Sequence, residues 1–187
     1  MGNLRSVQKA FERIGESAII SSQADEIAAA TRVVLPGVGA FRDAIAALRE
    51  HDLVAVIMDH ISANRPFLGI CLGLQMLMEV SLEDGEHDGL GIIPGTVQRF
   101  DLPAEYKIPH MGWNQLNRSV QQDHGLFREL GDDPWFYFVH SYHVVPQDPS
   151  WIAATTDYGG PFVSVVAKGN VMATQFHPEK SQSCGMQ

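Results

Sequence analysis

One cysteine stands where a thiol could act as a nucleophile. In Gly69-Ile-Cys71-Leu-Gly73 a glycine lies two residues to either side of the thiol, and the segment joins an apolar run to a helical pattern. This is the spacing of a nucleophile elbow, a strand–turn–helix so tight that side chains at the flanking positions would collide. Such a turn lifts the cysteine above its sheet, with the positive end of the following helix favouring the thiolate. The Leu72 N–H is then placed to donate to an oxyanion. A thiol nucleophile needs a base, and Gln175-Phe-His177-Pro-Glu179 offers one. Residues two apart on an extended segment face the same side. Glu179 can therefore orient the His177 imidazole while His177 serves Cys71, and Pro178 is expected to hold the segment extended, since it cannot continue a helix. In Pro36-Gly37-Val38-Gly39 the glycines allow backbone N–H groups to turn toward a ligand, which makes this loop the expected second oxyanion donor. Each motif alone has a plainer meaning: a buried small hydrophobe, a surface histidine, an ordinary tight turn. Found together, they point to a Cys-His-Glu triad.

Hydrophobic periodicity gives the elements that must position these residues. Leu4, Val7, Ala10, Phe11 and Ile14 recur at helical spacing, and Gly15 ends the run. Ser17–Ile20 predicts a short strand, and Ser22 predicts the cap of a brief helix through Ala30. Arg32–Leu35 and Pro66–Ile70 are short apolar strands, with helices from about Phe41 to Leu48 and Leu53 to Ala63 between them. A further helix is predicted over Leu72–Val80. Such alternation indicates a parallel sheet covered on both faces, with ligands at the carboxyl edge of its strands. The second half changes character. Thr96–Phe100, Trp135–Val139, Trp151–Thr156 and Phe162–Val166 are β-branched and aromatic, and Lys168-Gly169-Asn170 is a hairpin turn into Val171–Phe176. The predicted fold is α/β: a mostly parallel central sheet with helices on both faces and an antiparallel extension in the second half. Glu83, Asp84, Glu86 and Asp88 read as a solvated loop.

Composition bounds the function. A chain of 187 residues, 45% hydrophobic and 19% charged, fits one globular domain. A net charge of -9 without any basic stretch argues against nucleic acid or an anionic membrane as partner. Two cysteines, Cys71 and Cys184, are too few for a disulfide framework, and Cys184 receives no role. No run approaches the ~18 apolar residues of a membrane span, and the first fifteen residues lack the apolar core of a secretory signal. A cytoplasmic location is expected, with neither metal nor organic cofactor.

The three motifs resemble those of the class I glutamine amidotransferases. Five segments are similar, within that class, to the glutaminase subunits of imidazole glycerol phosphate synthase: Met1–Val7, Pro36–Phe41, Met111–Asn114, Tyr137–Tyr142 and His177–Gln182. The resemblance implies that Cys71 attacks the side-chain amide of L-glutamine, with His177 as acid and base and Glu179 as its orienter. It implies an oxyanion site at Leu72 and the Gly37, Val38 and Gly39 backbone. Substrate contacts would come from Gln75, His140, Ser141 and Tyr142. It further implies a cyclase subunit, a (β/α)8 barrel, which receives the ammonia for histidine biosynthesis and docks at or near Asn3, Trp113, Tyr137 and Lys180. Two alternatives are a glutaminase feeding another class I system and a free-standing γ-glutamyl hydrolase. Segments Met111–Asn114 and Tyr137–Tyr142 argue against the first; strong activity of the isolated chain would favour the second. Against this family pattern, 1–187 reads as one domain clipped at both ends, lacking a first strand before Met1 and a closing helix after Gln187. A chain so clipped is expected to be less stable than one with the upstream strand restored.

Overall fold

The computed structural model describes residues 4–118, 125–131 and 134–187; Asn3, expected at the partner interface, lies outside them. Helix α1 (Leu4–Arg13) buries Val7 and ends before Gly15, whose φ of +85° no β-substituted residue adopts readily. Ser17–Ile20 forms no strand, contrary to its composition. It runs beside α1, where Ala18 O accepts from Gln8 Nε2 at 2.7 Å, and Ile19 is 74% exposed. β-branched residues favour a strand only where another strand supplies a ladder. Helix α2 (Ala24–Ala29) starts later than expected: Ser22 is not its cap, Gln23 holds that position, and no side chain caps the helix.

Strand β1 (Val33–Gly37), helices α3 (Phe41–Glu50) and α4 (Leu53–Ser62), and strand β2 (Phe67–Cys71) follow as a crossover unit, with β1 and β2 parallel. Alternation sorts the strands' side chains. Val33, Leu35 and Phe67 pack into the cluster that holds Phe41, Ile45 and Ile57 from α3 and α4. Val34, Leu68 and Ile70 face the other way, against Val7 and Phe11 of α1. Helices thus cover both faces of the parallel strands. Each fully buried large apolar side chain, such as Phe41, Phe67 or Ile57, contributes roughly 1.5–3 kcal/mol.

The helix after Cys71 is shorter than its sequence suggests. Helix α5 covers Leu72–Met76 only, and Met78–Ser81 is strand β3, paired with β5 (Ile93–Arg99) in parallel and with β4 (His87–Asp88) in antiparallel. Leu72, Leu74, Met76, Leu77 and Met78 are all buried, and a continuously apolar run carries no period to separate helix from strand. In the second half come β6 (His110–Gln115), β7 (Asn117–Arg118), β8 (Trp135–His140), β9 (Tyr142–Pro146), β10 (Ile152–Asp157), β11 (Pro161–Lys168), β12 (Val171–Thr174) and the short helix α6 (Gln182–Met186). Lys168 pairs with Val171 across the Gly169-Asn170 turn, as the sequence predicts.

The strands form one mixed sheet in the order β1-β2-β12-β11-β9-β5-β3-β4, extended from β11 by β10 and β7; β6 and β8 form a separate antiparallel pair. Parallel pairing surrounds β2, whose neighbours are β1 and β12. The antiparallel extension lies beyond β12, through β11 and β9 to β5. Pro36 costs the ladder little, because β1 stands at the end of the strand order.

Candidate active site

The elbow forms where β2 gives way to α5. Cys71 is its apex, with φ 55° and ψ −108°, a left-handed conformation of the strained kind found at nucleophiles and costing about 1–3 kcal/mol. The flanking glycines are required by close approach rather than by dihedral freedom. A Cβ on Gly69 would come within 2.9 Å of both Ala173 Cβ and Gly73 O. A Cβ on Gly73 would overlap the Leu35 carbonyl oxygen of β1. The elbow is therefore pressed against both neighbouring strands.

Beside β2 runs β12, parallel, with Thr174 opposite Ile70. The chain beyond it carries Gln175, Phe176 and His177 along the same edge. The segment does not stay extended through Glu179: His177 is extended (φ −101°, ψ 98°), and Pro178–Lys180 then closes a 3-10 turn. Proline pre-sets φ for the first residue of such a turn, so it bends the chain here where the sequence suggested it would hold it straight. The turn still brings the two side chains together, with His177 Nδ1 2.8 Å from Glu179 Oε1 and both side chains buried. The backbone is fastened as well. His177 N donates to Tyr137 O at 3.0 Å, Tyr137 N donates to Ser181 Oγ at 3.0 Å, and Ser181 Oγ donates to His177 O at 2.6 Å.

Burial alone would depress the His177 pKa, but the Cys71 sulfur and the Glu179 carboxylate override it and raise the value to about 9. Nδ1 is held by Glu179, so Nε2, which has no hydrogen-bond partner in the described protein, is the nitrogen left for the thiol. Because folding raises this pKa, the ion pair stabilises the fold fully below about 6.5 and ceases to do so as the pH climbs through about 9. Glu179→Gln removes one of the two raising groups. We expect the alkaline limb of the activity profile to move from about 9 to lower pH, with a rate loss of roughly 10²-fold, the low end for acid–base groups. A pH–rate profile of both proteins checks this, and an unmoved limb would refute it.

Cys71 and His177 open into a cavity of about 350 Å³. Of the residues singled out in the sequence, Val38, Gly39, Leu72, Gln75, His140, Ser141 and Tyr142 line it as well. Gly37 does not. It sits in β1 in register with Cys71, where a Cβ would meet Leu72 Cβ at 2.9 Å, so its place is packing under the elbow. Pro109, Val139 and Glu83 complete the wall. Glu83 corrects the reading of Glu83–Asp88 as a purely solvated loop: its carboxylate accepts from Phe41 N at 2.8 Å, forty-two residues back, and faces the cavity. Nothing local in the sequence marks that contact.

His140 lines the cavity with both ring nitrogens already engaged. Nδ1 is 2.8 Å from Tyr142 O and Nε2 is 3.2 Å from His110 Nδ1. Burial drives the His140 pKa down to about 3 and the His110 pKa to about 4, so both are neutral at pH 7. On the outer side of β6 and β8, Trp113 and Tyr137 are cross-strand partners with ring centroids 6.1 Å apart, and Lys180 Nζ lies 6.0 Å from the Tyr137 ring centre. Trp113 is 42% exposed and Met111, two residues before it, 63%. The described residues expected at a partner interface, Trp113, Tyr137 and Lys180, thus lie together on one face. Cys184 packs against the buried cluster that includes Phe100, Phe136 and Phe176.

Comparison with known proteins gives a consistent result. The family described as "Glutamine amidotransferase class-I" matches residues 3–186. The imidazole glycerol phosphate synthase subunit HisH of Rhodopirellula baltica is 58% identical over 186 residues, covering 100% of this chain and 89% of the relative. The HisH subunit of Syntrophotalea carbinolica is 52% identical over 191 residues, covering 100% and 92%. Among solved structures, a glutamine amidotransferase superposes with a TM-score of 0.76 at 19% identity, over 99% of this chain and 90% of that one, which speaks to the fold alone.

Proposed function

Since the chain belongs to the class I glutamine amidotransferases, as a glutaminase subunit of imidazole glycerol phosphate synthase serving histidine biosynthesis, we propose that Cys71, His177 and Glu179 hydrolyse L-glutamine in the 350 Å³ cavity. The observation that carries this reading is the buried His177–Glu179 pair beside the strained Cys71. The Cys71 sulfur attacks the side-chain carboxamide carbon, and the developing oxyanion is held by the backbone N–H groups of Leu72, Val38 and Gly39, which line the cavity. His177 Nε2–H delivers its proton to the departing amine, releasing ammonia and leaving a glutamyl thioester. The now neutral imidazole takes a proton from water, hydroxide adds to the thioester, and collapse expels the Cys71 thiolate with glutamate. Glu179 keeps the imidazole in the tautomer this cycle needs.

The cavity wall suits the rest of the substrate. Glu83 offers a carboxylate to the α-ammonium group. Gln75 donates both of its amide protons inside the protein, to Tyr142 O at 3.1 Å and Gln175 Oε1 at 3.2 Å, which leaves its oxygen as an acceptor. Ser141 and Tyr142 supply further polar groups, and His140 supports Tyr142 from behind.

The ammonia goes to a cyclase subunit, a (β/α)8 barrel, seated on the face formed by Trp113, Tyr137 and Lys180. Aromatic side chains with the exposed Met111 beside them are the composition expected of an interface centre. A reducing cytoplasm is the compartment that keeps Cys71 a free thiol. The test is ammonia release by the chain alone and with the cyclase and its ribonucleotide substrate. Hydrolysis should rise at least tenfold in the complex, and Trp113→Ala should weaken assembly roughly 30-fold, as an anchor worth about 2 kcal/mol would. Full activity alone, with no complex formed, would instead establish a free-standing hydrolase.

A further inference from the structure

Behind the nucleophile lies a buried polar chain that the triad does not use. Its reference point is Tyr142 O, which accepts from His140 Nδ1 and Gln75 Nε2. A carbonyl oxygen only accepts, so it fixes the orientation of everything bonded to it. Gln75 must present its nitrogen, and the second N–H of that nitrogen reaches Gln175 Oε1. Gln175 is thereby oriented with its oxygen toward Gln75, and its own nitrogen faces Cys71 Sγ at 3.7 Å. The backbone enforces the placement. Gln175 follows Thr174, which is in register with Ile70, so it arrives beside Cys71, and its N–H donates to Ser164 O at 2.8 Å. The side chain is wholly buried.

We propose that Gln175 is a further catalytic residue: its carboxamide N–H donates to the Cys71 sulfur, and Gln75 and Tyr142 O hold it in that orientation. The inference rests on Cys71 being the nucleophile. A donor to sulfur favours the anion over the neutral thiol and holds the sulfur in place for the incoming carboxamide. It acts a second time when the thioester collapses, since the sulfur then leaves as the anion the amide can solvate.

Gln175→Met keeps length and volume without a donor, and Gln175→Glu keeps the shape but sets a carboxylate against the sulfur. The probe is alkylation of Cys71 by iodoacetamide at pH 7, followed on the full chain with the modified residue assigned by peptide mass. Alkylation should slow about tenfold for Gln175→Met and further for Gln175→Glu, as loss of one hydrogen bond to a charged group implies. The glutaminase kcat should fall with it while KM changes less than twofold. Should Gln175→Met fail to fold, Gln175→Asn, which keeps the amide but withdraws it by one methylene, gives the same two readouts. Alkylation within twofold of the parent, or a loss confined to melting temperature and KM, would overturn the proposal in favour of a packing role. Alkylation requires no glutamine, so this result stands apart from the glutaminase reading, which fails instead if Cys71→Ala still hydrolyses glutamine.

Discussion

Cys71→Ala is expected to reduce glutamine hydrolysis by roughly 10⁴–10⁶-fold, the range in which removal of a triad nucleophile falls, while leaving the chain folded and able to bind its partner. The reaction as proposed has no route without the sulfur, since the thioester is the step that separates ammonia release from water attack. Water activated by His177 alone would have to expel ammonia directly, and what remained would come from the oxyanion donors and substrate binding. The fold should hardly notice the change. Cys71 belongs to the small cluster of Val7 and Ile70, not to the main core. Alanine also keeps a Cβ at the strained position and removes only the sulfur, a loss the adjoining cavity can absorb. The comparison to make is ammonia release against complex formation by the same preparation. Residual activity within a hundredfold of the parent would remove Cys71 from the role assigned to it.

The second large effect is on the scaffold. Gly73→Ala adds a single methyl group, yet that carbon would overlap the Leu35 carbonyl oxygen. The obstacle is backbone in a hydrogen-bonded strand, so no change of rotamer relieves it. Either β1 separates from β2 or the elbow is pushed outward, and both disturb the Gly37–Cys71 register. We expect a destabilisation above about 3 kcal/mol, out of a total near 5–15 kcal/mol, seen as a fall in melting temperature of about 10 °C. Gly69→Ala should be milder, because its closest contacts, with Ala173 Cβ and Gly73 O, are at 2.9 Å rather than an overlap. A Gly73→Ala protein melting within 2 °C of the parent would show that the elbow yields more readily than its contacts suggest.

The parts proposed as a triad were legible in the sequence because they are short and local. The glycine spacing around Cys71 and the two-residue interval between His177 and Glu179 survive intact in the fold, even though the turn at Pro178 was read as straight. The β1–α3–α4–β2 crossover was equally legible from short apolar runs separated by helical periods. Legibility failed where structure depends on distant neighbours. Ser17–Ile20 has a strand's composition but no partner to pair with. Met78–Ser81 joins a sheet because β5 lies alongside, fifteen or more residues further along the chain. Glu83 reaches the cavity only because Phe41 N is there to receive it, and Gln175 faces sulfur only because Tyr142 O orients Gln75. Each of these is decided by pairing in space, which no local pattern encodes.

Tyr137 joins two tasks in one residue: its ring belongs to the outer face with Trp113 and Lys180, and its backbone N and O bracket the turn that carries His177. For a lineage under pressure to change partners, that is a constraint on the permitted routes. Side chains such as those of Met111 and Trp113 can be exchanged one at a time without moving the backbone that anchors His177. An insertion or register slip in β8 cannot, since it would carry the histidine's anchorage along with the proposed docking face. New specificity is therefore open to point substitution at positions such as Met111 and Trp113 and closed to remodelling of the strand beneath them.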